Sequence, residues 1–186
     1  PDAAPAADRE PRAEAQQQAE PVAELERVFF SYELAEGRPA EGPGRDSALP
    51  TGVRCDALRI VQGERVALVG LSGAGKTTVA SLLAGVHRPQ EGRVRSPRRT
   101  VLLAQDTHVF TGSLAEGLRL ARPDAADAEL RAALDRVEAG ELLDSLPEGV
   151  DTRLGHGGHP LTAAQEQQIA FARLILADPE LAVLDE

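Results

Sequence analysis

The eight residues Gly70-Leu-Ser-Gly-Ala-Gly-Lys-Thr77 hold the only lysine of this 186-residue chain; the other 19 basic side chains are all arginine. Lysine is a flexible point charge and arginine a planar fork, so a single retained lysine marks a position that needs the former. The octapeptide fits G-x-x-x-x-G-K-[ST], a glycine-rich turn that joins a strand to a helix. Around it, Val66–Val69 reads as a short buried strand. Thr77–Leu83 reads as a helix with Gly85 at its C-cap. Gly70, Gly73 and Gly75 provide angles and close approach that a Cβ would block. A loop of this kind turns its N–H groups, and the positive end of the helix behind it, toward phosphate oxygens. Lys76 then reaches between the β- and γ-phosphates of a nucleotide, and Thr77 offers a hydroxyl to Mg²⁺.

Composition narrows the partners. The net charge is −10 and the pI about 4.9. Binding a phosphate backbone calls for a basic surface, so nucleic acid is not expected as a direct partner. Arg95, Arg98 and Arg99 read as a solvated turn. The single Cys55 cannot form an internal disulfide and reads as a half-buried strand residue. No apolar run approaches the roughly 18 residues of a membrane span, and no secretory signal opens the chain. The sequence stops at Glu186 inside an apolar strand pattern, so both ends read as cut.

Residues 1–21, rich in Ala, Pro, Glu and Gln, read as a disordered linker. Glu26–Tyr32 reads as a strand, Gly37–Gly52 as a loop and Arg54–Ile60 as a strand. Arg88–Pro97 reads as a turn-rich connection and Thr100–Ala104 as a short strand. Pro123–Leu146 carries helical spacing and predicts two helices broken near Gly140. Thr162 is a good N-cap for a helix ending at Ala177, and Leu181–Leu184 predicts a buried strand. Strands alternating with helices around the glycine-rich loop argue for an α/β fold with a mainly parallel sheet. Helices concentrated over about 112–177 suggest an inserted helical subdomain.

In such sheets ligands bind at the C-terminal ends of the strands. Asp185 and Glu186 follow one strand directly. Asp185 is placed to hold Mg²⁺ and Glu186 to orient or deprotonate an attacking water. Gln105 ends another strand, where its amide can sense the metal or the γ-phosphate; an ordinary polar loop residue is the alternative reading of Gln105.

With these residues in place, the stretch from about residue 24 to 186 resembles the nucleotide-binding domain of an ATP-binding cassette (ABC) transporter of the exporter type. Val28-Phe-Phe-Ser-Tyr32 resembles the A-loop, in which Tyr32 would stack on adenine. Gly70–Thr77 is similar to Walker A, so Gly70, Ser72, Gly73, Ala74, Gly75, Lys76, Thr77 and the adjoining Thr78 would bind nucleotide. Gln105 resembles the Q-loop glutamine, and Val109–Gly117 the segment after it. Leu146–Thr152 and Gly155–Gly158 resemble the approach to the signature, Leu161–Gln165 the signature itself, and Leu181–Glu186 Walker B. The resemblance implies a P-loop NTPase core with an N-terminal antiparallel β part, and a domain over 22–186. It further implies ATP and Mg²⁺ as ligands, with Thr77, Gln105 and Asp185 toward the metal, and catalysis by Lys76, Gln105 and Glu186. Two such domains would pair head to tail as a homo- or heterodimer, with Thr162 and Gln165 facing the partner's ATP. Transmembrane domains, fused upstream of Pro1, would hold the assembly at the cytoplasmic face of a membrane and export a substrate.

The chain departs from the family pattern in two ways. The signature Leu-Ser-Gly-Gly-Gln is here Leu161-Thr-Ala-Ala-Gln165, and Glu166-Gln-Gln168 replaces a usually basic stretch. If the family turn needs glycine-only angles, the two methyl groups would hinder it, and the added negative potential would oppose triphosphate. One reading is therefore a degenerate, mainly ATP-binding regulatory half of a heterodimer; another is a weak but working homodimer. A soluble cassette ATPase of DNA repair or translation is a third, disfavoured by the acidic balance. The family's switch histidine and one sheet strand would lie after Glu186, so these residues alone are expected to expose strand edges and to hydrolyse ATP negligibly.

Overall fold

The computed structural model describes residues 20–32, 52–105 and 108–185. Residues 1–19 of the linker predicted over 1–21, most of the loop predicted over 37–52, and Glu186 lie outside the described residues. The chain divides into two compact units, one up to Pro97 and one from Arg98.

The first unit is an antiparallel sheet with one helix against it. Strand β1 spans Pro21–Phe30, β2 spans Val53–Val61, helix α1 spans Lys76–Leu83 and β3 spans Glu91–Arg95. The sheet order β2-β1-β3 puts β1 in the centre. That position explains its burial: Ala23, Leu25, Val28, Phe29 and Phe30 are all in the core, whereas β2 buries only its end at Ile60 and Val61. Helix α1 packs Ala80, Leu82 and Leu83 inward. It ends at Gly85, whose φ of 73° lets Val86 donate to the Ser81 carbonyl at 2.9 Å and Gly85 to the Leu82 carbonyl at 3.1 Å. Gly85 thus terminates the helix in the way the sequence predicts, by a left-handed residue that redirects two N–H groups to the last turn.

The second unit joins a parallel strand pair to a helical layer. Here β4 spans Thr100–Leu103, β5 Gly112–Ser113, α2 Leu114–Arg119, α3 Asp127–Arg136, α4 Gly140–Ser145, β6 Arg153–Leu154, α5 Ala163–Ala177 and β7 Leu181–Leu184. Strands β4 and β7 are parallel, with Thr100 opposite Leu181 and Leu103 opposite Leu184. A parallel pair needs a long crossover, and the helices supply it. Leu118, Leu130, Leu134, Leu142, Ile169 and Ala172 are buried in one apolar cluster that ties α2, α3 and α4 to α5. The short ribbon β5–β6 closes the layer beside α2. Two of the three arginines that the sequence reads as a solvated turn form ion pairs with residues distant in the chain: Arg95 with Glu24 at 3.9 Å, and Arg99 with Glu180 at 3.1 Å.

The P-loop α/β class stands, with parallel pairing at β4–β7 and antiparallel pairing in the first unit. Several local expectations change. Val66–Val69 is not a buried strand: it pairs with no strand among the described residues, and Val69 is 93% exposed. Apolar residues become a strand only where neighbouring backbone takes their N–H and C=O groups, and here none lies alongside. Arg88–Pro97 contains β3, which the sequence hides because Val94 is its one large apolar residue. β1 begins earlier than predicted, at Pro21, and ends before Tyr32. The break between α3 and α4 falls at Val137–Ala139, where Glu138 has φ 55°, and Gly140 opens α4. Cys55 is half-buried in β2, and burial, then the Asp56 carboxylate, raise its thiol above the ordinary range.

Strand β1 carries a bulge at Arg27, which has φ 46°, and its register with β3 slips between Glu26 and Phe29. Gly92 on β3 lies against this bulge at φ 79°, and a Cβ there would come within 2.2 Å of the Arg27 carbonyl oxygen. Gly92→Ala therefore meets both a left-handed backbone and a backbone clash, and should lower unfolding free energy by about 2 kcal/mol or more, measured by denaturant titration. Leu134→Ala, in the helical cluster, should cost about 2–5 kcal/mol by the same measurement.

Candidate functional site

The glycine-rich loop sits in the first unit, between the exposed stretch 66–69 and α1. Ala74 donates to the Leu71 carbonyl at 3.1 Å, closing a turn over 71–74. Gly73 and Gly75 take φ 79° and 89°. Gly75 is also the N-cap of α1, and a Cβ on it would lie 2.3 Å from Val53 Cγ2 on β2. Only glycine permits both the angle and this approach. Gly70 needs neither: its φ is ordinary and a Cβ would meet Ala74 at a normal 3.4 Å. The Lys76 ammonium turns back over the loop and donates to the Gly70 carbonyl at 2.9 Å and the Leu71 carbonyl at 3.0 Å. It therefore lies over the same backbone whose glycines make the turn, at the N-terminus of α1. Ser72, Ala74 and Thr77 are exposed along this loop and first turn.

Thr78 and Tyr32 meet on the same unit. Thr78 is buried, and its hydroxyl lies 3.4 Å from the Tyr32 hydroxyl. The Tyr32 ring stands edge-on to Phe30, with centroids 5.0 Å apart, and to His87 at 5.2 Å. Phe30 and His87 stack on each other at 4.8 Å. Tyr32 remains 47% exposed, so much of an aromatic surface stays open beside the N-terminal half of α1. Sequence reading found Tyr32 but not His87, whose place depends on a contact across 55 residues of chain.

In the second unit, Gln105 and Asp185 follow the paired strands β4 and β7. Asp185 donates its N–H to the Leu103 carbonyl at 2.9 Å, which extends the parallel ladder by one residue. Both line a cavity of about 470 Å³ with Ala163, Ala164, Gln167 and Phe171 of α5. The structure thus brings together the strand-end residues and the start of the signature helix. Thr162 and Gln165 hold that helix start reciprocally: Thr162 Oγ1 accepts from the Gln165 N–H at 3.3 Å, and Gln165 Oε1 accepts from the Thr162 N–H at 2.9 Å. This is a complete capping box. Ala163 and Ala164 lie in the first turn of α5 and have no left-handed backbone angle. The glycine-only geometry that would have made these alanines a conformational defect is therefore not present.

Arg173, farther along α5, was not singled out by the sequence. Its Nε donates to the Gly117 carbonyl at 2.9 Å and Nη1 to the His108 carbonyl at 2.8 Å, and the guanidinium lies 5.3 Å from the centre of the Phe110 ring. Burial lowers its pKa from the ordinary arginine value. One side chain on the signature helix thereby anchors both the segment after Gln105 and α2.

Residues 55–186 match the protein family described as ABC transporter. The chain is 36% identical over 176 residues to ABC transporter B family member 21 of Arabidopsis thaliana, covering 88% of this chain and 13% of that one. It is 35% identical over 175 residues to the ABC multidrug transporter mdr2 of Aspergillus fumigatus, covering 87% and 20%. It is 36% identical over 172 residues to the Beta-(1-->2)glucan export ATP-binding/permease protein NdvA of Rhodopseudomonas palustris, covering 86% and 26%. The chain thus spans about a quarter or less of the length of these relatives.

The capping box carries a stability prediction of its own. Thr162→Ala removes the oxygen that satisfies the third N–H of α5 and should cost about 1 kcal/mol in denaturant unfolding, while Thr162→Ser should be close to neutral.

Proposed function

Because the chain belongs to the ABC transporter family, we propose that it is the ATP-binding and ATP-hydrolysing part of an exporter. The observation that carries this reading is the Lys76 ammonium held over the carbonyls of Gly70 and Leu71 at the N-terminus of α1. It gathers a positive charge, a helix end and a glycine-turned backbone at one spot, which suits a triphosphate. Thr77 in the first unit, and Gln105 and Asp185 in the second, each offer an oxygen of the kind that suits Mg²⁺. Bound there, the metal would neutralise charge on the phosphate oxygens.

The roles divide as follows. Ser72, Gly73, Ala74, Gly75 and Lys76 bind the phosphate chain through backbone and ammonium, and Tyr32 stacks on the adenine. Lys76 offsets charge as it builds on the transferred phosphoryl group. Thr77 and Asp185 would hold the metal, Gln105 would report on it, and Glu186 would orient the attacking water. Thr162 and Gln165 present the start of α5 to the ATP of a second, head-to-tail copy or homologue. Residues 22–186 act as one nucleotide-binding domain with a helical part over about 112–177. Membrane domains, of the kind implied by an ATP-binding/permease relative, carry the substrate and place this domain at the cytoplasmic face. Among the described residues no helix is long and apolar enough to cross a membrane.

A purely regulatory, ATP-binding half is not favoured. Its conformational ground was a glycine requirement at 163 and 164, and those residues are helical. What remains is the acidic character of Glu166, a matter of degree.

Lys76→Ala in the full-length protein should weaken ATP binding at least about tenfold and abolish turnover, and Lys76→Arg should not restore it. Unchanged affinity on calorimetric titration would refute the site. Glu186→Gln should retain ATP binding and lose turnover by about 100-fold or more; equal turnover in variant and parent would exclude hydrolysis at this subunit's own loop.

A further inference from the structure

We infer that Gln90 is a positioning residue for the nucleotide base: its amide fixes the backbone that carries Tyr32. The inference rests on the reading of Tyr32 as the adenine platform and adds a residue that neither the motifs nor the family pattern given above assigns.

The geometry is a two-point clamp. Gln90 Oε1 accepts from the Ser31 N–H at 2.9 Å, and Gln90 Nε2 donates to the Ser31 carbonyl at 2.9 Å. The Gln90 N–H also donates to the Phe29 carbonyl at 2.9 Å. Three hydrogen bonds therefore grip β1 and the residue after it, where the strand ends and Tyr32 begins. A primary amide can accept from the N–H and donate to the carbonyl of one residue at the same time. Glutamate would accept but not donate, and alanine would do neither.

Ser31 is 1% exposed, and its hydroxyl makes no hydrogen bond among the described residues. Its position is set by its backbone, and its backbone N–H and carbonyl are both taken by Gln90. Tyr32 follows directly, already past the β1 ladder. The ring is oriented by Phe30, His87 and the Thr78 hydroxyl. His87 lies three residues before Gln90 on the same α1–β3 connection, so one connection supplies both the ring beside Tyr32 and the amide beneath it. A platform held from its backbone and from two ring edges loses less freedom when a base stacks on it.

This predicts an effect confined to the base. Stacking on one aromatic is worth about 5- to 150-fold in affinity, and loosening the platform should forfeit part of that. The test uses the full-length protein and two probes in calorimetry, Mg-ATP and Mg-tripolyphosphate, the latter having no base. Tyr32→Ala should weaken ATP at least about fivefold and leave tripolyphosphate within about twofold. Gln90→Ala should weaken ATP about three- to tenfold, again sparing tripolyphosphate, and Gln90→Glu should fall between. Ser31→Ala, which keeps the clamped backbone, should bind both as the parent does. In the Tyr32→Ala background Gln90→Ala should add nothing, because it acts through that ring.

Equal weakening of both probes by Gln90→Ala, or additive effects of the two substitutions, would show a merely structural role and overturn the inference. An effective Tyr32→Ala with a silent Gln90→Ala would overturn the inference alone. A silent Tyr32→Ala would overturn the platform reading with it, and loss of both probes on Lys76→Ala would still leave the phosphate site standing.

Discussion

The contact between the Lys76 ammonium and two loop carbonyls is the constraint on which the first unit turns. A loop of exposed residues has little apolar burial to hold it. Here one charge gathers Gly70 and Leu71, and the left-handed Gly75 sets the next residues into α1. Gly75 itself is wedged against Val53, so the turn is braced on β2. From α1, the Thr78 hydroxyl reaches Tyr32, and Tyr32 returns the path to β1. Sheet, loop, helix and aromatic thus close a circuit in which each piece limits the freedom of the next.

The second unit reaches order by a different route. Helices α2, α3 and α4 have ten residues or fewer, and short helices depend on packing and on their ends. Leucines and alanines from α2 to α5 share one apolar cluster, while Ser113 with Glu116 and Thr162 with Gln165 complete the first turns of α2 and α5. The strand pair β4–β7 then sets Gln105 and Asp185 at the same edge as the start of α5. Packing produces the scaffold, and the strand ends and helix start are what that scaffold presents.

Much of this was legible in the sequence, and the reason differs by element. Helix α1 carries its stop signal in Gly85 and α5 its start signal in Thr162, so local chemistry was enough for those ends. Strands β4 and β7 are apolar runs of the right length. β3 was not legible because Glu91-Gly-Arg-Val-Arg95 has almost no apolar face; it exists through its pairing with β1. Val66–Val69 failed in the opposite sense, apolar enough for a strand yet without a neighbour to pair with. At the site, the glycine-rich loop and the strand-end acids announce themselves by spacing. Gln90, His87 and Arg173 do not, because their roles come from contacts 55 to 65 residues away in the chain, which no local pattern encodes.

Arg173 has a mechanical meaning. Its guanidinium is a strut with one foot on the His108 carbonyl and another on the Gly117 carbonyl, footed on the body of α5. A displacement of that helix would strain the bonds to His108 and Gly117 together, so a single side chain spreads the load over two separate points of the chain.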